Sequence, residues 1–256
     1  MAKKYNILLL GASYGSLLAT KLILAGHDAK LICLPAEAEL INAEGTLVRM
    51  PVKGREGLFD IKSGDLPGNL SAGAPESVTA SDYDLAVLAM QEPQYRSPGV
   101  RALLDGLSKA GVPLMSIMNM PPLTYLKRIS GLDTSAYRES YADATVWDSL
   151  DPDLMTLCSP DPQAFRPPDE PVNVLQVRLP TNFKSARFAS DEHTAMLRQI
   201  EADIEAARYD AGDGLVELPV KLRVHDSIFV PMAKWCMLLA GNYRCVQADD
   251  MRTIKD

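Results

Sequence analysis

A stretch of about thirty residues near the start of the chain constrains the fold more than any other. Asn6–Leu10 (NILLL) is a short run of long aliphatic side chains, the pattern of a strand buried on both faces. The glycine turn Gly11-Ala12-Ser13-Tyr14-Gly15 follows, and residues 16–25 place Leu17, Leu18, Lys21, Leu22 and Leu24 in the pattern of a largely buried helix. Gly26 ends that helix, and residues 29–34 are strand-like again. Two strands joined through a helix run parallel with a right-handed crossover. The chain is thereby committed to an α/β class whose sheet is covered on both faces.

The alternation continues downstream. Residues 37–44 read as a short helix, 46–50 as a strand, 84–90 (DLAVLAM) as a fully buried strand, 100–107 as a helix and 113–118 as a strand. A Rossmann-like, mostly parallel sheet is the expected architecture, with ligands at the carboxyl ends of its strands. Residues 152–171 then hold six prolines in twenty positions, which forbids continuous helix and predicts an inserted loop or short extended pieces. Residues 172–179 resume a strand pattern. Ser190 reads as the N-cap of a helix that carries Met196, Leu197, Ile200 and Ile204 on one face. From residue 228 to 241 the chain is apolar almost throughout, with Lys234 its only charge, so a helix starting near Pro231 would be buried nearly all round.

Charge and cysteine usage exclude several functions. With 26 basic and 33 acidic side chains among 256 residues the net charge is -7, and no basic run offers a surface to nucleic acid or an acidic membrane. The apolar stretch at residues 7–10 is too short for a signal peptide, and no run approaches the roughly 20 residues that cross a bilayer. A soluble, cytoplasmic protein is expected. Cys33, Cys158, Cys236 and Cys245 form no CxxC pair, and only His27, His193 and His225 could join them, so neither a metal site nor a disulfide framework is expected.

The glycine turn admits three readings. Between a strand and a helix, glycine lets the backbone approach a pyrophosphate while the helix N-terminus supplies amides and a positive dipole end. Gly11, Ala12, Ser13, Tyr14, Gly15 and Ser16 are then cofactor-binding candidates, although Ser13 replaces the second glycine of GxGxxG and Gly15 comes one residue early. The same residues match GxSxG, the nucleophile elbow of serine hydrolases, with Ser13 as nucleophile. A purely structural turn is the third reading. At the end of the second strand, where an adenosine ribose would sit, stand Leu34, Pro35, Ala36 and Glu37, and an acidic residue there favours a free 2′-OH whereas arginine favours a 2′-phosphate.

The order of these features resembles ketopantoate reductase (2-dehydropantoate 2-reductase) and its relatives: the glycine turn, SLLATKLILAGHDAKLI, Glu44-Gly45, the DLAVLAM strand, an asparagine after the next strand, and the apolar helix with Lys234 and Asn242. The resemblance implies an NADP-binding domain, here residues 1–218, followed by a helical substrate and dimerisation domain beginning at residues 219–256. It implies reduction of a 2-oxo acid to a 2-hydroxy acid, with Lys234 as proton donor, Asn119 and Asn242 beside the substrate, Leu34, Gln91 and Asn119 along the cofactor, and a homodimer as partner. The chemistry agrees. Hydride delivery to a carbonyl leaves negative charge on oxygen, which an ammonium neutralises and amides orient.

Three positions depart from the family pattern. Leu34-Pro35 replaces an arginine that binds the NADP phosphate, Gln91 replaces a lysine, and Met120 replaces a glycine. The segment after residue 218 is also short for such a domain, as expected of a divergent member short at the C-terminus or of a chain whose residues 228–241 are buried against the first domain or another subunit. An opine-dehydrogenase-like imine reductase and a non-catalytic nucleotide-binding protein remain open alternatives, and NAD is an alternative cofactor to NADP.

Overall fold

The computed structural model describes residues 3–160, 164–178 and 181–228. Its first unit is the expected one: β1 (Asn6–Leu10), α1 (Ala12–Leu24) and β2 (Asp28–Ile32). The helix begins at Ala12 rather than after Gly15, so most of the glycine turn is its first turn. Gly11 alone supplies the bend, at φ +117°. There follow α2 (Pro35–Glu44), β3 (Leu47–Pro51), β4 (Leu58–Lys62), β5 (Leu70–Gly73), β6 (Leu85–Leu88), α3 (Pro98–Lys109), β7 (Leu114–Ser116), α4 (Leu123–Leu126) and β8 (Met155–Leu157).

Six of these strands form one sheet in the order β5-β2-β1-β6-β7-β8, with every neighbouring pair parallel. Numbered among themselves they read 3-2-1-4-5-6, so the chain grows outward from β1 on one side and from β6 on the other, leaving a switch point between them. Of the two sequence readings of the proline-rich segment, short extended pieces rather than an inserted loop describe β8 and β9 (Ala164–Phe165). The proline-rich segment contributes the sixth strand of the main sheet, because Pro152 opens a single 3-10 turn and the next three residues, fully buried, pair with β7.

Both faces of the sheet are covered. Ile7, Leu9, Leu31, Val87 and Met115 join one core with α1, and Leu8, Leu10, Ile32, Leu88 and Leu114 join the other with α3. This is the alternation of a strand buried on both sides. Val100, Leu103, Leu104 and Leu107 are the buried stripe of α3, at helical spacing. Trp147, fully buried in the same core, packs against Tyr95 at a ring separation of 5.3 Å.

α1 lies between layers and is buried along nearly its whole length, Lys21 included at 1% exposure. Its outer side is closed by a second sheet, β4-β3-β10-β9, built from β9 (Ala164–Phe165) and β10 (Val174–Val177) with the earlier hairpin. Beyond these come β11 (Thr181–Ala186), α5 (Asp191–Ala206), the small β12 (Tyr209–Asp210) and β13 (Leu215–Val216) hairpin, and β14 (Val220–His225), which runs parallel to β11. Ser190 caps α5 by accepting from the His193 N–H at 3.3 Å, and Leu197, Ile200 and Ile204 face the core. Residues 229–256, where the apolar helix with Lys234 and Asn242 is expected, lie outside the described residues. Among the described residues no helix is long and apolar enough to cross a membrane.

Candidate functional site

The carboxyl ends of β1, β2 and β6 open onto a cleft of about 890 Å³ at the switch point, within the usual size of a cofactor site. Gly11 forms its floor. A Cβ there would stand 2.6 Å from the Ala89 carbonyl oxygen and 2.8 Å from Met90 Cγ, so no other residue fits between β1 and β6. Its N–H donates to the Ile32 carbonyl at 2.9 Å, tying the turn to the end of β2.

Directly above Gly11, α1 begins without a side-chain cap and without an acidic residue in its first turn. The first bond of the helix runs from the Gly15 N–H to the Gly11 carbonyl, which leaves the N–H groups of Ala12, Ser13 and Tyr14 without acceptors inside it. All three residues line the cleft. Free amides at the positive end of a thirteen-residue helix are the arrangement that receives a phosphate. These residues therefore fit the pyrophosphate of a dinucleotide. They do not fit a nucleophile elbow, since no described residue other than glycine has a positive φ and Ser13 sits in plain helix.

The remaining predicted residues divide. Leu34 and Gln91 line the cleft. Gly15 and Ser16 are not among the residues lining it: Gly15 lies where a Cβ would meet Leu31 at 3.2 Å and Leu9 at 3.4 Å, so it permits close packing of α1 on the strands. The Ser16 hydroxyl donates back to the Ala12 carbonyl. Thus the helix-to-strand contact usually given to the last glycine of the motif falls one residue early.

Asn119, just beyond β7, reaches the cleft lining through two hydrogen bonds. Its Nδ2 donates to Tyr14 Oη at 3.3 Å and to Gln91 Oε1 at 3.4 Å, and Gln91 Nε2 donates to Tyr14 Oη at 3.4 Å. Gln91 is itself set by its N–H donating to Gln94 Oε1 at 2.9 Å. The ends of β1, β6 and β7 thereby converge on an uncharged cluster of two amides and a phenol. Lys234 and Asn242 lie outside the described residues.

At the other end, beyond β2, sits a group the sequence does not announce. Arg166, which follows β9, donates from Nη2 to Glu37 Oε1, and both residues line the cleft with Glu76. Cys33 is beside them. Burial first, and the Glu37 carboxylate second, push its thiol up to about 12, so it is a neutral wall and no nucleophile. Nothing near Arg166 marks it, because it stands between Phe165 and Pro167-Pro168 and its partner is 129 positions away. Among the described residues no group of three His, Cys, Asp or Glu could hold a metal ion.

A parallel sheet in this order, with an uncapped helix N-terminus on a cleft at its switch point, defines the Rossmann-like α/β class. Comparison with known proteins narrows the fold further. No protein-family model matches the sequence, and no curated protein is detectably similar to it. The structure, however, has the fold of ketopantoate reductases. It matches a protein assigned as a ketopantoate reductase from Ralstonia solanacearum MolK2 with a TM-score of 0.60 at 13% identity, over 94% of this chain and 65% of that one. A PanE/ApbA family ketopantoate reductase from Ralstonia eutropha JMP134 gives 0.55 at 15% identity, over 91% and 60%. A D-mandelate dehydrogenase solved with NADH and anilino(oxo)acetate gives 0.50 at 12%, over 87% and 57%. These neighbours are oxidoreductases. The chain spans 57% to 65% of their lengths.

Proposed function

We propose that this protein is a nicotinamide-dependent reductase of 2-oxo acids, of the ketopantoate reductase type, acting in the cytoplasm on a small-molecule substrate. The observation that carries this is the continuity of the cleft from the bare amides of α1 to Tyr14 and Gln91, to which Asn119 is hydrogen-bonded. One end suits a pyrophosphate. The other offers neutral amides that can orient a polar carbonyl compound.

The cofactor, when bound, supplies the hydride. Ala12, Ser13 and Tyr14 hold its phosphates with backbone N–H groups, and Leu34, 74% exposed at the rim, offers apolar surface to the adenine. Asn119 and Asn242 orient the substrate. Lys234 carries the proton for the developing alkoxide, a role suited to an ammonium that is the only charge in an otherwise apolar stretch of sequence. The helical substrate and dimerisation domain expected from residue 219 would begin only after β14 (Val220–His225), which pairs with β11 and packs in the core of the first unit.

The test is turnover of NADH and NADPH over a panel of 2-oxo acids, with and without amines, alongside Lys234→Ala. We expect oxo-acid reduction without an amine, and a loss of about 10²-fold or more in kcat for the variant. Turnover only when an amine is added would make it an imine reductase. Cofactor binding with no turnover on any substrate would make it a nucleotide-binding protein without chemistry.

A further inference from the structure

We infer that the Glu37–Arg166 pair reads the 2′ position of the adenosine ribose and selects the unphosphorylated diol, so that the cofactor is NAD(H). The inference rests on the dinucleotide reading of the cleft and concerns the end of it that the sequence left open. In sheets of this order the adenosine ribose lies against the end of β2. Here that end is Cys33 and Leu34, and the charged groups lining the cleft are Glu37, Glu76 and Arg166. They sum to one negative charge.

The hydrogen bonding points the same way. Arg166 donates to one oxygen of the Glu37 carboxylate, and the second oxygen accepts from no described residue. A carboxylate only accepts, and a ribose hydroxyl can donate to it, whereas a phosphate cannot. The Glu37 side chain is 13% exposed. A 2′-phosphate would therefore have to draw the guanidinium away and leave that carboxylate nearly buried, unpaired and facing a dianion, with Glu76 across the same cleft. Cys33 senses this field as well, since Glu37 raises its thiol and Arg166 opposes the effect.

Arg166 has a second consequence. It stands where an NADP site needs a guanidinium, but it is engaged by Glu37. Removing the negative charge while keeping the shape, with Glu37→Gln, leaves a cation free for a phosphate. Selection against NADP is thus the work of the carboxylate, and the arginine is a latent phosphate ligand held in check.

Isothermal titration of the full chain with NAD⁺ and NADP⁺, which differ only at the 2′ position, tests this without any assay of turnover. For the native sequence we expect NAD⁺ to bind at least about tenfold more tightly than NADP⁺. In Glu37→Gln the ratio should fall at least about tenfold through a gain in NADP⁺ affinity, and in Glu37→Gln combined with Arg166→Met that gain should vanish. Equal or tighter NADP⁺ binding by the native chain overturns the inference, as does an unchanged ratio in a Glu37→Gln variant with native circular dichroism. If the folded chain binds neither dinucleotide, the cofactor reading itself fails, and the inference with it.

Discussion

The two ends of the cleft are built on different principles. The end near Asn119 is made of neutral groups that sit where consecutive strands of one sheet stop: Tyr14 after β1, Gln91 after β6, Asn119 after β7. The end near Glu37 is made of charges, and one of them arrives from a strand of the second sheet. Strand ends in a parallel sheet are brought together by the sheet itself, so their residues need only be in the right place in sequence. A charge delivered from another layer depends on the packing of that layer. The first kind of site is inherited with the fold, while the second can be altered without touching it.

The largest effect should come from breaking the point the two ends share. Gly11→Ala places a Cβ against the Ala89 carbonyl and demands an L-residue at φ +117°. It should cost about 3 kcal/mol of stability from strain and overlap together, and abolish dinucleotide binding at both ends. Thermal denaturation with titration of the cofactor checks both parts. If the variant binds normally, the floor of the cleft is not where the pyrophosphate lies.

Asn119→Ala probes the neutral end alone. It removes the donor to both Tyr14 and Gln91. We expect about a tenfold loss in kcat/KM for the oxo acid with dinucleotide affinity and the NAD⁺ to NADP⁺ ratio unchanged. Paired with the Glu37 variants, which move the ratio, this separates the two ends. A shift in the ratio with Asn119→Ala would show that they are coupled.

The smallest effect is a control on α1 behind the cleft. Burial lowers the Lys21 pKa from 10.5 to about 8, with Glu217 opposing the shift and Arg208 and Lys221 adding to it. The folded state therefore binds fewer protons than the unfolded one between about pH 8 and pH 10.5, so stability rises with pH across that window and the penalty is complete below it. Lys21→Met should add about 1 kcal/mol at pH 7 and flatten that rise, with neither end of the cleft affected. Denaturant titrations at pH 7 and pH 10 decide it.

Most of the first sheet and the neutral end are legible in the sequence for the reason that makes them robust. β1, α1 and β2 announce themselves through apolar runs, leucine spacing and one glycine, and Gln91 and Asn119 follow directly on buried strands. The motif itself misled in detail. Ser13 and Gly15 suggested a shortened loop or a hydrolase elbow, whereas the helix simply starts earlier and moves its close contact to Gly15. β8 was hidden because prolines flank a strand of only three residues, and periodicity cannot be read from three positions. Arg166 left no trace, since long-range pairing of one side chain has no local pattern to carry it.

That long-range pairing also orders events in time. Arg166 meets Glu37 only after a span of 129 residues has closed, and it does so from the position after β9, a strand of two residues held to β10, which is held in turn to β3. Local contacts within the β1, α1 and β2 unit form early and at little entropic expense, whereas closures of this length come late. If the pair reads the ribose as inferred, a chain in which only the β1, α1 and β2 unit has closed would carry the phosphate-binding amides without the group that discriminates, so the two properties would be acquired separately.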